Sequence, residues 1–407
     1  MTRKKIAVLA AVNISVYSMI YMKGSFYGIM QEALGLSHEE LGTMWSIYGL
    51  VAFFSYPIGG WIADSFSSRK MVILSLGGII VLGFILATLP AYSWLLLIFA
   101  LFGVFSILTY YPVSTRLVKS LAVPLGEGKV FGTYWSFVSV FNMLVYAAGL
   151  ILLYCFPEDS ALSYRGLLYA ILMIAIVSLI LFAKWFKTSP PVNRQPGKVL
   201  YNWTRLVRYP AVWLAGLMIF FSYMIVCTCT YITPYFTEVC GFSQRGVVWF
   251  NLIRGYALGI FAPVAAGIIS DRMGSAAKMI SCAALIVAGF AAMLICIPVD
   301  RIVILVLTVA IMEFVMHGLR GQVMVTLSES SLPVDLTGSA IGFAAFIGYS
   351  PDAFLYKIAG GMLDRTGTDG YPILFAGMTV CALLCALTGF LLAKKQQTMQ
   401  NESSAQL

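Results

Sequence analysis

Within the stretch Ile311–Gln322, IMEFVMHGLRGQ, the residues Glu313, His317 and Arg320 are spaced i, i+4, i+7. On an α-helix that spacing keeps all three within about 40° of one line, as a single polar stripe. The sequence on either side, VILVLTVA before and VMVTL after, is apolar. A carboxylate, an imidazole and a guanidinium on one face of a greasy helix can hold a proton, hold an anion, or lock the helix to a neighbour. Glu313 is read as a proton-sensitive carboxylate whose protonation would release Arg320 or His317 to pair with a ligand. The alternative is a static buried ion pair, which by itself is weak support for stability.

Other charges lie singly within apolar runs: Lys23, Arg116, Arg254, Asp352 and Lys357. Arg254 follows VVWFNLI and has no acid on its own run. It either binds a ligand anion or pairs with Asp352 or Glu313 from another helix. Asp352 follows GYSP, where Pro351 removes a backbone donor and predicts a kink or hinge over Tyr349, Ser350 and Pro351. Asp352 is a second proton-site candidate, or an ion-pair partner of Arg254 or Arg320. Lys23, close in angle to Tyr27, either faces a ligand or snorkels to the outer interface. Arg116 is divided between ligand binding and interfacial anchoring, and Lys357 is read as an anchor. The cations outnumber Glu313 and Asp352, a sign that favours an anionic ligand. Tyr27 and Tyr231 offer rings and hydroxyls to the same ligand.

Several chemistries are disfavoured. His38 and His317 are the only histidines, which argues against a metal centre. There is no phosphate-binding Gly-Lys-Ser/Thr loop, so ATP hydrolysis is not expected. No enzyme signature and no cofactor are expected. The eight cysteines lack ligand or disulfide spacing and read as small packing residues. The net charge of +9 suits a basic cytoplasmic rim better than nucleic-acid binding.

These charges are positioned by membrane helices. The 407-residue chain is 60% hydrophobic and only 11% charged, against roughly 25% charged in a soluble protein. Runs of about 20 apolar residues, each able to cross the hydrocarbon layer, lie near Ile6–Met30, Leu41–Ala63, Met71–Pro90, Trp94–Leu121, Val130–Phe156 and Gly166–Ala183. A second set lies near Val212–Val239, Val247–Ser270, Met279–Pro298, Ile302–Leu327, Thr337–Leu363 and Pro372–Ala393. The first run, after MTRKK, is read as a retained helix and not a cleaved signal. The fold class is therefore all-α, with 12 transmembrane helices. Two six-helix bundles, 1–186 and 211–407, are joined by a basic, proline-bearing cytoplasmic linker, 187–210. Lys and Arg collect on the side of the N-terminus, while only Arg165, Arg245, Arg301 and Arg365 fall in loops on the opposite side. Both termini are thus expected in the cytoplasm. The third, sixth, ninth and twelfth runs contain no Asp, Glu, Lys or Arg. A charge in contact with lipid carries an insertion cost of roughly 2.5–3.5 kcal/mol, so charge-free runs are the ones suited to meet it.

A loop motif occurs twice. GGWIADSFSSRK follows the second run and GIISDRMGSAAK the eighth. Gly60 and Asp64 are matched by Gly267 and Asp271, with Arg69 and Arg272 as nearby cations. A small residue permits close helix approach, and an aspartate can accept from a neighbouring helix N-terminus. The pair reads as two gating latches.

On these loops, the twelve runs and the 6+6 division, the chain resembles the major facilitator superfamily across essentially its whole length. The first loop has Ser65 and Ser67 where that pattern has Arg and Gly; the second has Ala276 and Ala277 at its basic positions. FYGIMQEALGLSHEELGTMWSIYG and GFAAFIGYSPDAF resemble, more narrowly, YihN-type bacterial carriers. The resemblance implies a midplane cavity lined by runs 1, 4, 7 and 10 and a rocking, alternating-access cycle. The expected function is proton-coupled import of a small organic anion (sugar acid, sugar phosphate or sulfonate) across the bacterial inner membrane. Anion exchange without protons, neutral sugar or nucleoside symport, and a non-transporting ligand sensor are the alternatives. The expected partners are that substrate, protons and membrane lipids, with no nucleic acid, and the chain is expected to be a monomer.

Overall fold

The computed structural model describes residues 2–121, 127–157, 159–187, 203–323, 325–328 and 334–405. Most of the 187–210 linker lies outside the described residues. The described chain is a succession of helices. Among the described residues, ten stretches are long and apolar enough to cross a membrane, from Arg3–Gly24 to Leu355–Thr398.

Local sequence sets the helix starts. Ser37 closes a capping box on His38–Ser65: its Oγ accepts from the Glu40 N–H, and its own N–H donates to the Glu40 carboxylate. The Asp159 carboxylate accepts from the Leu162 N–H at 2.7 Å and opens Ser160–Trp185. Ser275 caps Ala276–Cys296 in the same way. Pro210 occupies the first turn of Pro210–Thr228, where its missing N–H is not needed.

Several expected runs differ from simple spans. The eighth is interrupted by a π-helical segment, Ile253–Ala257, between Gln244–Leu252 and Leu258–Met273. The eleventh is broken by a 3-10 turn, Ser350–Ala353, between Val334–Gly348 and Leu355–Thr366, with Pro351 at the break. Other runs also break: at the 3-10 turns Met22–Gly24 and Cys229–Tyr231, and at the π segment Val104–Tyr110. Lys23, Arg254 and Asp352 each fall in one of these interruptions. Non-helical backbone at membrane depth is tolerated where protein or a cavity satisfies the freed groups, and π-bulges recur at functional sites.

The chain divides into two compact units. The first comprises residues 1–195 with 242–252 and 356–361. In it Thr2–Tyr21 packs on Glu127–Cys155 and Ser160–Trp185, and His38–Ser65 on Tyr92–Gly103. The segment 356–361 approaches His38–Ser65 closely. A Cβ on Gly42 would strike the Tyr356 carbonyl, and one on Gly360 would strike that of His38. The second unit comprises 196–241, 253–355 and 362–407. There Gly370–Ala405 packs on Ala276–Cys296 and Pro210–Thr228, and Leu258–Met273 on Ile302–Gln322, over a core rich in alanine. Large apolar side chains remain exposed on the outer helices, among them Val81, Met173, Val177, Leu285 and Leu387. Lipid solvates such a face and water does not.

Candidate functional site

In the first unit, Lys23 does not snorkel. It sits in the turn Met22–Gly24 and is only 2% exposed. Its Nζ lies 3.5 Å from the ring centroid of Tyr356, 5.3 Å from Trp45 and 5.5 Å from Tyr21. Ring faces attract an ammonium through their quadrupoles. Tyr27 extends this aromatic wall: its ring lies 5.5 Å from Trp45, and its hydroxyl hydrogen-bonds His38 Nδ1 at 2.8 Å. The short segments 242–252 and 356–361 are tied in by polar contacts. Asn251 donates to the Ser25 carbonyl at 3.3 Å, and the Lys357 N–H to Ser46 Oγ at 3.1 Å.

The Lys357 side chain itself is exposed, on a shallow cleft with Glu39 and Glu40. Arg116 is half-buried and donates to Ser68 Oγ at 2.6 Å. Of the first loop, Arg69 donates to the Ala183 carbonyl at 2.9 Å. Gly60 and Asp64 lie near the end of His38–Ser65, and their side-chain surroundings lie outside the described residues. In the second loop Asp271 and Arg272 are exposed, Gly267 faces Gln322, and Gly274 ends the helix at φ 63°.

The second unit holds the remaining charges. Arg254, at the start of the π segment, forms a buried ion pair with Glu313 from Ile302–Gln322. Its other terminal nitrogen donates to Thr233 Oγ1 at 3.2 Å. The pair is 5% and 3% exposed. Glu313 therefore meets Arg254, from another helix, and not the Arg320 of its own stripe. His317 is half-buried, and its Nε2 has no hydrogen-bond partner among the described residues. Arg320 is exposed on the wall of a small cavity with Ser222, Tyr223, Val226, Val323 and Tyr349.

Asp352 is 4% exposed, yet it is in no ion pair among the described residues. Its carboxylate accepts from the Tyr223 hydroxyl at 2.9 Å and from the Cys227 thiol at 3.5 Å. The Tyr223 ring packs edge-on against Tyr349, with centroids 4.8 Å apart. Tyr231 is fully buried in the turn Cys229–Tyr231. Tyr223, an aromatic expected on a lining helix, joins these clusters with Tyr356, Thr233 and Cys227, whose contacts spacing along their own runs does not report.

Comparison with known proteins places the fold. The model of the Major Facilitator Superfamily matches residues 9–356. The chain belongs to the major facilitator superfamily. As a member it is a multi-pass membrane transporter and not an enzyme. It is 24% identical to inner membrane protein YihN of Escherichia coli, over 100% of this chain and 99% of that one. It is 24% identical to the probable sulfoacetate transporter SauU of Cupriavidus necator, over 91% of this chain and 87% of the other. Among solved structures, a mutant of the nucleoside transporter NupG superposes with a TM-score of 0.76 at 14% identity, over 96% of this chain and 100% of that one. That likeness is one of fold.

Proposed function

We propose that this superfamily member is a proton-coupled importer of a small organic anion, working by alternating access in the bacterial inner membrane with both termini cytoplasmic. The observation that carries the reading is Arg320, a guanidinium on the wall of a small cavity with Ser222, Tyr223 and Tyr349, on the helix that also carries Glu313 and His317. A guanidinium on a cavity wall favours a negative ligand there. The likeness to a relative named for sulfoacetate supports an anion bearing a carboxylate or sulfonate. Lys23, Arg116, Arg320, Tyr27 and Tyr231 are the proposed substrate contacts; Arg254 acts through its pair with Glu313. That pairing moves the coupling role from Glu313 toward Asp352, with His317 beside the path. The bundles 1–186 and 211–407, the linker 187–210 and the latches at Gly60, Asp64 and Arg69 and at Gly267, Asp271 and Arg272 form the moving parts. Membrane lipid is the other partner, and the transporter acts as a monomer.

The test is uptake into proteoliposomes of labelled sulfoacetate, glucuronate, glucose 6-phosphate and uridine, with and without an inward proton gradient. Accumulation of an anion driven by the gradient is the expected result. Uptake that needs only a trapped internal anion would establish exchange instead. Uptake of uridine alone would establish neutral symport.

A further inference from the structure

The Arg320 cavity and the Asp352 cluster share one residue. Tyr223 lines the cavity and hydrogen-bonds Asp352 with its hydroxyl. We propose that the cavity binds the oxyanion head group of the substrate, and that the Tyr223 hydroxyl switches between Asp352 and that head group, so that anion binding loads a proton onto Asp352. The inference rests on the proton-coupled anion reading above and specifies its chemistry.

The geometry is particular. The cavity has about 30 Å³ of free space, enough for one or two waters, so it suits a head group and not a whole organic molecule. Its polar wall comes from two helices and a break: Ser222 and Tyr223 on Pro210–Thr228, Arg320 on Ile302–Gln322, and Tyr349 beside the turn Ser350–Ala353. Ser222 already donates its hydroxyl hydrogen to the Ile219 carbonyl at 2.8 Å. Arg320 is the charged donor, and a guanidinium matches the oxygens of carboxylate or sulfonate in pairs.

Tyr223 has a single hydrogen to give, and in the structure it is given to the Asp352 carboxylate. An oxyanion held by Arg320 competes for the same hydrogen. If the hydroxyl turns to the ligand, Asp352 keeps only the weak thiol donor of Cys227. A buried carboxylate so deprived is costly, and a proton taken from water replaces what was lost. Release of the anion returns the tyrosine hydrogen to Asp352 and expels the proton. Among the described residues, the groups facing Asp352 are Tyr223 and Cys227 from Pro210–Thr228, with Tyr349 on its own side of the break. Arg320 lies within electrostatic reach of Tyr349.

The purified full chain in detergent tests this directly, with methanesulfonate and acetate as head-group probes and chloride as the control salt. Binding is followed by calorimetry, and proton uptake by an indicator dye in weakly buffered solution. Wild-type protein is expected to bind a probe and take up a proton with it. Arg320→Gln should weaken binding about tenfold or more, the loss of a charge-assisted contact. Tyr223→Phe keeps the ring against Tyr349 and should still bind, within about threefold, but without proton uptake. Asp352→Asn should behave likewise. Wild-type binding without proton uptake would overturn the proton-coupled reading itself. Proton uptake preserved in Tyr223→Phe would overturn the switch alone. Absence of probe binding, or binding indifferent to Arg320→Gln, would overturn the head-group site, while the uptake assay above still judges anion transport.

Discussion

Lys23 and Arg254 are both cations buried at a break in a membrane helix, yet each unit of the molecule solves the problem differently. Around Lys23 the ammonium rests among the faces of Tyr21, Trp45 and Tyr356. Around Arg254 the guanidinium is met by the Glu313 carboxylate and, among its other contacts, the Thr233 hydroxyl. Ring faces attract a cation from many directions, and each contributes a modest amount. A carboxylate attracts strongly along few directions and is itself charged, so losing its partner strands it. The first arrangement should tolerate change in any one member; the second should not.

The sharpest way to break the comparison is Arg254→Gln. Glu313 would be left buried without its cation, at a cost of about 3–5 kcal/mol. Thermal melting in detergent should show a large fall or no folded protein, and adding Glu313→Gln should restore most of it. Thr233→Val is the next step down. It removes a hydrogen bond to a charged group, worth about 1.5–3 kcal/mol, and the same melting assay reads it. The smallest effect is expected from Trp45→Phe. Its indole Nε1 is buried without a hydrogen-bond partner among the described residues, so phenylalanine keeps a ring over Lys23 and removes an unsatisfied donor. Stability should stay within about 1 kcal/mol. A Trp45→Phe loss as large as that of Arg254→Gln would erase the distinction between the two sites.

Much of this architecture is written in the sequence because lipid is an unforgiving solvent. Apolar runs long enough to span it stand out in the chain, and the runs free of charge reflect the cost of meeting hydrocarbon. The polar stripe of Glu313, His317 and Arg320 is also legible, because angles around one helix follow from spacing. What spacing does not report is the neighbour. Glu313 turns inward to Arg254, while Arg320 opens onto a cavity. Tyr356 reaches Lys23 from more than three hundred residues away in sequence. The breaks were equally hidden, save the one marked by Pro351. A π or 3-10 segment depends on tertiary partners for its released backbone groups, and those partners are set only when the helices pack.

The π segment Val104–Tyr110 takes up one residue more than an α turn would hold. There the Phe105 carbonyl accepts from Ser75 Oγ at 2.6 Å and from Thr109 Oγ1 at 2.7 Å, which anchors the widened turn to the neighbouring helix. Deleting one residue from it would return the span to an unbroken α-helix while leaving the parts on either side nearly in their present facing. The same deletion in the regular helix Tyr92–Gly103, with the wide turn kept, would turn the downstream part by about 100° and draw it back by about 1.5 Å. Arg116 would then swing away from Ser68, and Tyr110 out of the buried position it holds. Removing one residue should therefore do less harm inside the bulge than before it. The wide turn works as slack in the span, a point where its length can change by one residue without re-aiming its tyrosines and its arginine.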